Sequence, residues 1–491
     1  MSISLILPLA ATKVPLSTLL IVGGAAAFVL IAWSYSHWRA AVKVAFVALL
    51  VEGAVRKWLL PQGQELAYFL KDVFLVGAYI RFFLAPDPEL RGYRLRIPGA
   101  LILALCAVVS LSAFNPNIGS VILGAYGVKI YVFYIPLMFM MPFLFRTQDE
   151  MKRNLLYYSW LGIPICLLGI LQWQSDTFSV MNTYAGGMDE AGATSFGFGN
   201  KARITGTFSY ITGHTTFVIF FGVLNLILLS WQETRRKWLI MGVSLPLLGA
   251  NAFMGGSRSS LFAIALVAGG FVLASFGGKV ATSRQFLATL IVGFVISCSG
   301  AIYMFAEATL YWETRYKASA DSFEDRVFGH TFSAVSMGLK QGGIGGFGIG
   351  TTHPATEAIR RVLKIDPPKR RAPVFDHEMG QIMVELGIFG FLAWYALRIM
   401  LLFLAWSAFR QAPPGPLRSI ALATILLYCP YFLMSVVLNH TANFLIFGML
   451  GLTMLPFLES TVQRKVVRGQ RVLNRPEAAA AEPAAVARRV G

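Results

Sequence analysis

The residues best equipped for chemistry are two basic, hydroxyl-rich segments and one titratable cluster. Gly255-Gly256-Ser257-Arg258-Ser259-Ser260 stands between two apolar segments with almost no loop. Such a hairpin sets Arg258 at the mouth of a helical bundle. A guanidinium binds phosphate bidentately and stays charged, and the serines stand where a helix N-terminus favours an anion. The blander reading is an interfacial Arg reaching toward lipid headgroups. Lys201-Ala-Arg203-Ile-Thr205-Gly206-Thr207-Phe208 brings two more cations and two hydroxyls to the start of another apolar segment. It is either a second anion contact or a solvated basic loop. Asp321-Ser-Phe-Glu-Asp-Arg326 and Asp376-His377-Glu378 supply carboxylates and an imidazole able to exchange protons near neutral pH. Asp376 equally suits a helix N-cap, with Glu378 in the first turn behind it, and His377 can cap or bond a loop carbonyl.

Gly343-Ile-Gly345-Gly-Phe-Gly348 spells GxGxxG. A dinucleotide site needs a strand before it and a helix after it, and no such unit can be built here. A tight turn that lets loop and bundle approach closely is expected instead, with His353 as a loop residue beyond it. Within apolar segments, Glu52 and Arg56 are spaced to pair across one helical turn. Lys71, Asp72, Lys129 and Glu385 are expected to face the bundle interior. Glu385 lies about two turns beyond His377, close enough to border one cavity with it.

These residues must be positioned by a membrane protein. The chain has 491 residues, 56% hydrophobic and only 13% charged, whereas soluble domains are about a quarter charged. Spanning helices take roughly 20 apolar residues each. Candidates fall near 16–35, 41–60, 66–85, 97–114, 120–145, 154–172, 214–231, 237–254, 259–276, 286–306, 381–407, 418–437 and 441–458. The expected fold is thus an all-α polytopic membrane protein of about 12–13 helices. Residues 1–460 form one membrane domain with two long loops, 174–213 and 307–377, and 461–491 form a disordered basic and Ala-rich tail. All four cysteines lie in apolar segments without a CxxC, so neither a disulfide framework nor a thiolate metal site is expected.

The net charge of +18 has local reasons that do not involve nucleic acid. Arg146/Lys152/Arg153, Arg235/Arg236/Lys237, Lys279/Arg284, Arg410/Arg418 and the tail fall on one side if the helices alternate. The positive-inside rule makes that side cytoplasmic. The opposite side then holds 115–118, 174–213, 255–258, 307–377 and 439–441. A long polar loop on that side argues against a plain channel.

The order of these motifs resembles the O-antigen ligase and polymerase superfamily. Gly256-Ser257-Arg258 before an apolar helix looks like its GSR signature. Arg203-Ile-Thr-Gly-Thr-Phe208, Arg326, Gly346-Phe-Gly348-Ile-Gly350, Asp376-His377 and Glu385-Leu-Gly387-Ile-Phe-Gly390 follow its pattern over roughly residues 120–460. Val51-Glu52-Gly53-Ala-Val-Arg56-Lys57-Trp58-Leu-Leu-Pro61 is similar to a stretch in members assigned to exopolysaccharide synthesis. The resemblance implies a bacterial inner-membrane glycosyltransferase acting at the periplasmic face on an undecaprenyl-diphosphate-linked glycan. It implies neither metal nor nucleotide cofactor, a chain-length regulator or secretion complex as partner, and membrane lipid as surroundings. It also implies Arg203, Arg258 and Arg326 as diphosphate ligands, with Glu385 beside the substrate, and Asp376 or His377 as catalytic base. In ligase-like members a His stands nine residues before the Glu of ExGxxG. Here Asp376 holds that place and His377 comes one later, which favours polymerisation over ligation to lipid A-core. The rival class is a transporter or flippase of lipid-linked sugar, for which internal repeats and broken helices would speak; neither is clear in the sequence. A third class is a non-catalytic scaffold of a secretion complex.

Overall fold

The computed structural model describes residues 16–90, 95, 97–185, 201–231, 239–276, 306–318, 330–368, 370–375 and 377–458. Among them there is helix and no strand element. In chain order the helices are α1 (Leu16–Ser36), α2 (Trp38–Ala54), α3 (Leu70–Leu84), α4 (Gly99–Ser112), α5 (Val121–Val132), α6 (Gln148–Trp160), α7 (Gly162–Gln174), α8 (Ile211–Ser230) and α9 (Leu245–Met254). They continue as α10 (Arg258–Phe276), α11 (Ala306–Ala318), α12 (His330–Gly342), α13 (Pro354–Leu363), α14 (Glu378–Gln411), α15 (Pro416–Tyr431) and α16 (His440–Thr453). Local chemistry sets several starts. Thr147 accepts from Glu150 N at 3.1 Å, with Asp149 and Glu150 in the first turn of α6. His353 caps α13, with Pro354 at its first position.

Among the described residues five helical stretches are long and apolar enough to cross a membrane: Gln148–Gln174, Ile211–Ser230, Arg258–Phe276, Glu378–Gln411 and His440–Leu458. Val121–Val132 with Leu137–Phe143 makes a sixth if that pair, bent by 41°, is one span. Among the described residues, length thus supports five or six of the roughly thirteen expected spans. Several expected spans are interrupted: α2 passes into a π-turn at Val55–Leu59, and α9 is preceded by another at Ile240–Ser244. The candidate at 286–306 lies almost wholly outside the described residues.

Two spans are central. The windows in Ile211–Ser230 and His440–Leu458 are each 83% buried, against 22% for Arg258–Phe276. The outer helices present large apolar side chains outward, among them Leu273, Phe276, Phe389 and Phe403. Soluble monomers do not expose so continuous an apolar surface, whereas hydrocarbon accepts it. The chain is therefore read as a multi-pass membrane protein.

The segment 307–377 is not simply a loop. Its described part carries α12 and α13 and most of α11. Helix α12 lies against the start of α14 through small residues: a Cβ on Gly338 would stand 2.8 Å from Gly380 O, and one on Gly342 would stand 3.0 Å from Val384 Cα. Backbones approach this closely only where side chains are minimal.

Polar contacts sort the connections into two ends. At one end Arg39 donates to Phe143 O at 3.1 Å, and Lys43 pairs with Glu150 at 2.6 Å. At the other, Asn115 donates to Gly346 O at 3.1 Å, Arg203 to Gly255 O at 2.9 Å, Arg360 to Ile118 O at 2.6 Å and Asn439 to Thr212 O at 3.3 Å. The segments that charge alternation sets on one side thus touch one another.

Candidate functional site

Three constructions meet at that second end. The first joins two sequence motifs. The loop Arg203–Phe208 is held from below by Lys57, which donates to Thr205 Oγ1 at 3.0 Å and to Gly206 O at 2.7 Å. Gln172 holds it from the side, accepting from Gly206 N at 2.7 Å and donating to Gly206 O at 3.1 Å. Gly206 needs its glycine, with φ of 55°. The α2 end fits beneath because residue 53 is Gly: a Cβ there would lie 2.4 Å from Thr207 O. Arg56 continues the contact, donating to Ser209 Oγ at 2.8 Å and to Gln64 O at 3.1 Å. The stretch Val51–Pro61 and the stretch Arg203–Phe208 are therefore one structural unit.

Arg203 and the Gly255–Arg258 turn come together. The Nε of Arg203 donates to Gly255 O at 2.9 Å, so that guanidinium is fixed beside the hairpin that starts α10 with Arg258. Ser257 and Ser259 hydroxyls lie 2.8 Å apart at the same turn, and Ser260 Oγ closes onto Ser257 O at 2.7 Å. Lys201 stands nearby, 3.6 Å from Glu307. This end of α10 gathers cations, hydroxyls and a helix N-terminus, the components of an anion site. Arg326 lies outside the described residues.

The second construction is the glycine-rich turn, and it is where Glu385 goes. Phe347 N donates to Val384 O at 2.7 Å, Gly348 N to Glu385 O at 2.9 Å, and Ile388 N to Ile344 O at 3.2 Å. Helix α14 opens at Gly387, φ 64° and ψ −167°, to receive these bonds. The Glu385 carboxylate crosses to the far side of the turn. It accepts from Thr352 N at 2.8 Å, Thr352 Oγ1 at 2.7 Å, Gly350 N at 3.0 Å and Tyr131 OH at 2.8 Å. Four protein donors thus occupy the side chain that the resemblance sets beside substrate. Its evident work is to clamp the turn. Gly346, Gly348 and Gly350 all have positive φ, and a Cβ on Gly346 would stand 2.4 Å from Glu385 O. The close approach expected of GxGxxG is present.

The third construction is a buried charge network. Glu52 pairs with Lys71 at 2.6 Å, not with Arg56 as the spacing suggested. The reason is geometric: α2 passes into the π-turn at Val55, which turns Arg56 toward Ser209. Asp72 meets Lys129 at 2.9 Å and accepts from Tyr134 OH at 2.7 Å. Lys71, Asp72 and Lys129 do face the interior. The Lys129 ammonium stands 4.1 Å from the Tyr68 ring centroid and 5.1 Å from that of Phe69.

Two histidines border this network: His353, expected as a loop residue, and His440, for which the sequence suggests no role. His353 Nδ1 accepts from Ala355 N at 3.1 Å and lies 3.2 Å from Tyr126 OH. Burial, with Lys129 adding to it, pushes His353 down to about 3, so its imidazole is neutral. His440 Nε2 lies 3.6 Å from Glu52 Oε1, and its ring meets that of Tyr68 at 4.8 Å. No sequence spacing links residues 52, 353 and 440; only the fold does. His377 is the N-cap residue of α14, the place the sequence reading gave to Asp376, which lies outside the described residues.

An apolar cavity of about 240 Å³, lined by Lys43, Phe46, Tyr158, Phe221 and Leu445 among others, opens at the Lys43–Glu150 end. It does not include the arginine turn or the network. Compared with known proteins, the chain matches no family model, no curated protein and no solved structure.

Proposed function

We propose that this protein is a membrane glycosyltransferase that takes a polyprenyl-diphosphate-linked glycan as donor and polymerises it, as an exopolysaccharide or O-antigen polymerase of a bacterial inner membrane does. One observation carries the reading: Arg203 is fixed against the Gly255–Arg258 turn, so the two basic motifs converge at one end of the bundle. A diphosphate there meets guanidinium forks, hydroxyls and the positive end of α10, and the charge developing on the departing phosphate is stabilised where it forms. The donor carries its own activated leaving group, so glycosyl transfer needs only that stabilisation and a base for the acceptor hydroxyl. Asp376 or His377 is the base that the motif order suggests, and Arg326 is a further diphosphate ligand on the same grounds. In this reading the arginine end faces the periplasm, with 115–118, 174–213, 255–258, 307–377 and 439–441 on that side and the tail on the other. A chain-length regulator is the partner such a polymerase would use.

The flippase reading has specific support. Helix α14 opens at Gly387, and the stretch Val121–Phe143 is bent by 41°, and broken spans are common in transporters. A deletion strain separates the two. Loss of a polymerase leaves single lipid-linked repeats on the outer leaflet, open to glycosidase added to spheroplasts. Loss of a flippase leaves them protected inside, and that result would remove the polymerase reading.

A further inference from the structure

Resting on the glycosyltransferase reading, we infer that the acceptor hydroxyl is deprotonated by His440, with Glu52 behind it, and not by Asp376 or His377 as the motif order suggests, in a site assembled from α2, α3 and α16. The carboxylate is beyond hydrogen-bond reach of the imidazole but close enough to pair with it once the ring takes a proton. Glu52 is inside and His440 is at the edge: their side chains keep 3% and 24% of their surface exposed, with Nε2 and Oε1 3.6 Å apart. Lys71, at 2.6 Å from Glu52 Oε2, holds the carboxylate in place. A hydrogen on Nε2 facing Glu52 leaves the Nδ1 lone pair to take a proton. Two other buried histidines are worse placed. His353 Nδ1 is occupied by Ala355 N, and His214 is buried within α8.

The pair adjoins the donor site. Tyr68 touches His440 at 4.8 Å and carries Arg56 over its ring at 5.2 Å, and Arg56 in turn binds Ser209 just beyond the Arg203–Phe208 loop. Asn439, next to His440, binds Thr212 and Thr216 at the start of α8. In the step itself the acceptor O–H gives its proton to His440 Nδ1, and its oxygen bonds to the anomeric carbon. The bond from that carbon to the phosphate oxygen breaks, and the electron pair leaves on the diphosphate. The imidazolium faces Glu52 and later returns its proton to water. The charged and titratable groups around His440 are Glu52, Arg56, Tyr68, Lys71, Lys129 and His353.

The test uses the full chain in lipid nanodiscs with a polyprenyl-diphosphate-linked oligosaccharide as probe. His440→Ala is expected to slow chain extension roughly 100-fold or more, the usual contribution of a general base, while the probe still binds. Added imidazole is expected to restore part of the rate, and His440→Gln is expected to lose the acid limb of the wild-type pH–rate profile. A merely structural His440 would give neither rescue nor a changed limb. Extension within about threefold of wild type in both variants overturns the inference, as does imidazole rescue of His377→Ala but not of His440→Ala. A wild type that binds the probe and extends nothing overturns the transferase reading beneath it.

Discussion

Removing the Glu385 carboxylate should loosen one turn of this protein by an amount that can be worked out. Glu385 accepts from Gly350 N, Thr352 N, Thr352 Oγ1 and Tyr131 OH. In Glu385→Ala the hydroxyls can rotate to other acceptors, but the two backbone N–H groups cannot. An orphaned buried donor costs about 1–3 kcal/mol, so the turn should lose about 2–6 kcal/mol. Glu385→Gln is milder. Its amide oxygen can still serve Thr352, while its NH2 meets Gly350 N–H donor to donor, so about 1–3 kcal/mol is lost. Amide hydrogen exchange in nanodiscs reads this directly. At about 1.4 kcal/mol per tenfold, protection of Gly350 and Thr352 should fall roughly 25-fold or more in the Ala variant and less in the Gln variant. Unchanged exchange over residues 346–353 in Glu385→Ala would refute the clamp and return Glu385 to the substrate.

Other outcomes follow from the same geometry. Arg258→Lys keeps charge but loses the bidentate fork; at about 1.5–3 kcal/mol for a charged hydrogen bond, transfer should fall roughly 10- to 150-fold, and near-normal polymer at equal protein level would take Arg258 out of the site. Gly387→Ala sets a Cβ 2.0 Å from Ile344 O at a φ of 64°, so thermal unfolding should show a loss of at least about 2 kcal/mol. Folding holds His353 near 3 instead of the usual 6.5, so the unfolded chain binds the extra proton between those values. Stability from this group is whole above pH 6.5 and lost as pH falls toward 3; His353→Asn, which keeps a cap for α13, should flatten that acid limb in urea titrations. A cysteine in place of Lys364 should label from outside intact cells and one in place of Arg236 should not, and the reverse pattern would invert the topology.

The parts of this fold legible in sequence are those written in periodicity and glycine. Helix existence followed from apolar length, and the close approach at Gly346–Gly350 followed from the glycine spacing. The inward placement of Lys71, Asp72 and Lys129 followed from the cost of charge in hydrocarbon. What was not legible depends on backbone departures and on distant pairing. The π-turn at Val55–Leu59 sent Arg56 to Ser209 and left Glu52 to Lys71, against the one-turn rule. The partners of the Glu385 carboxylate, Thr352, Gly350 and Tyr131, are likewise linked to it by no sequence spacing. His440 and Glu52 are brought together by packing alone. A signal was available in hindsight: an Asn-His pair beginning an apolar helix, beside a Glu inside another, is polar chemistry placed where a membrane helix does not need it.

The central claim is transfer, and the most direct measurement is product length. Purified protein in detergent or nanodiscs is given polyprenyl-diphosphate-linked oligosaccharide with no nucleotide or added metal, and the glycans are resolved by size. The account predicts a ladder of longer lipid-linked chains that disappears in the Arg203→Ala and Arg258→Ala variants. Transfer to added lipid A-core in place of a ladder would make the protein a ligase. Tight binding of the lipid with neither product would contradict the account and leave a transporter of lipid-linked sugar in its place.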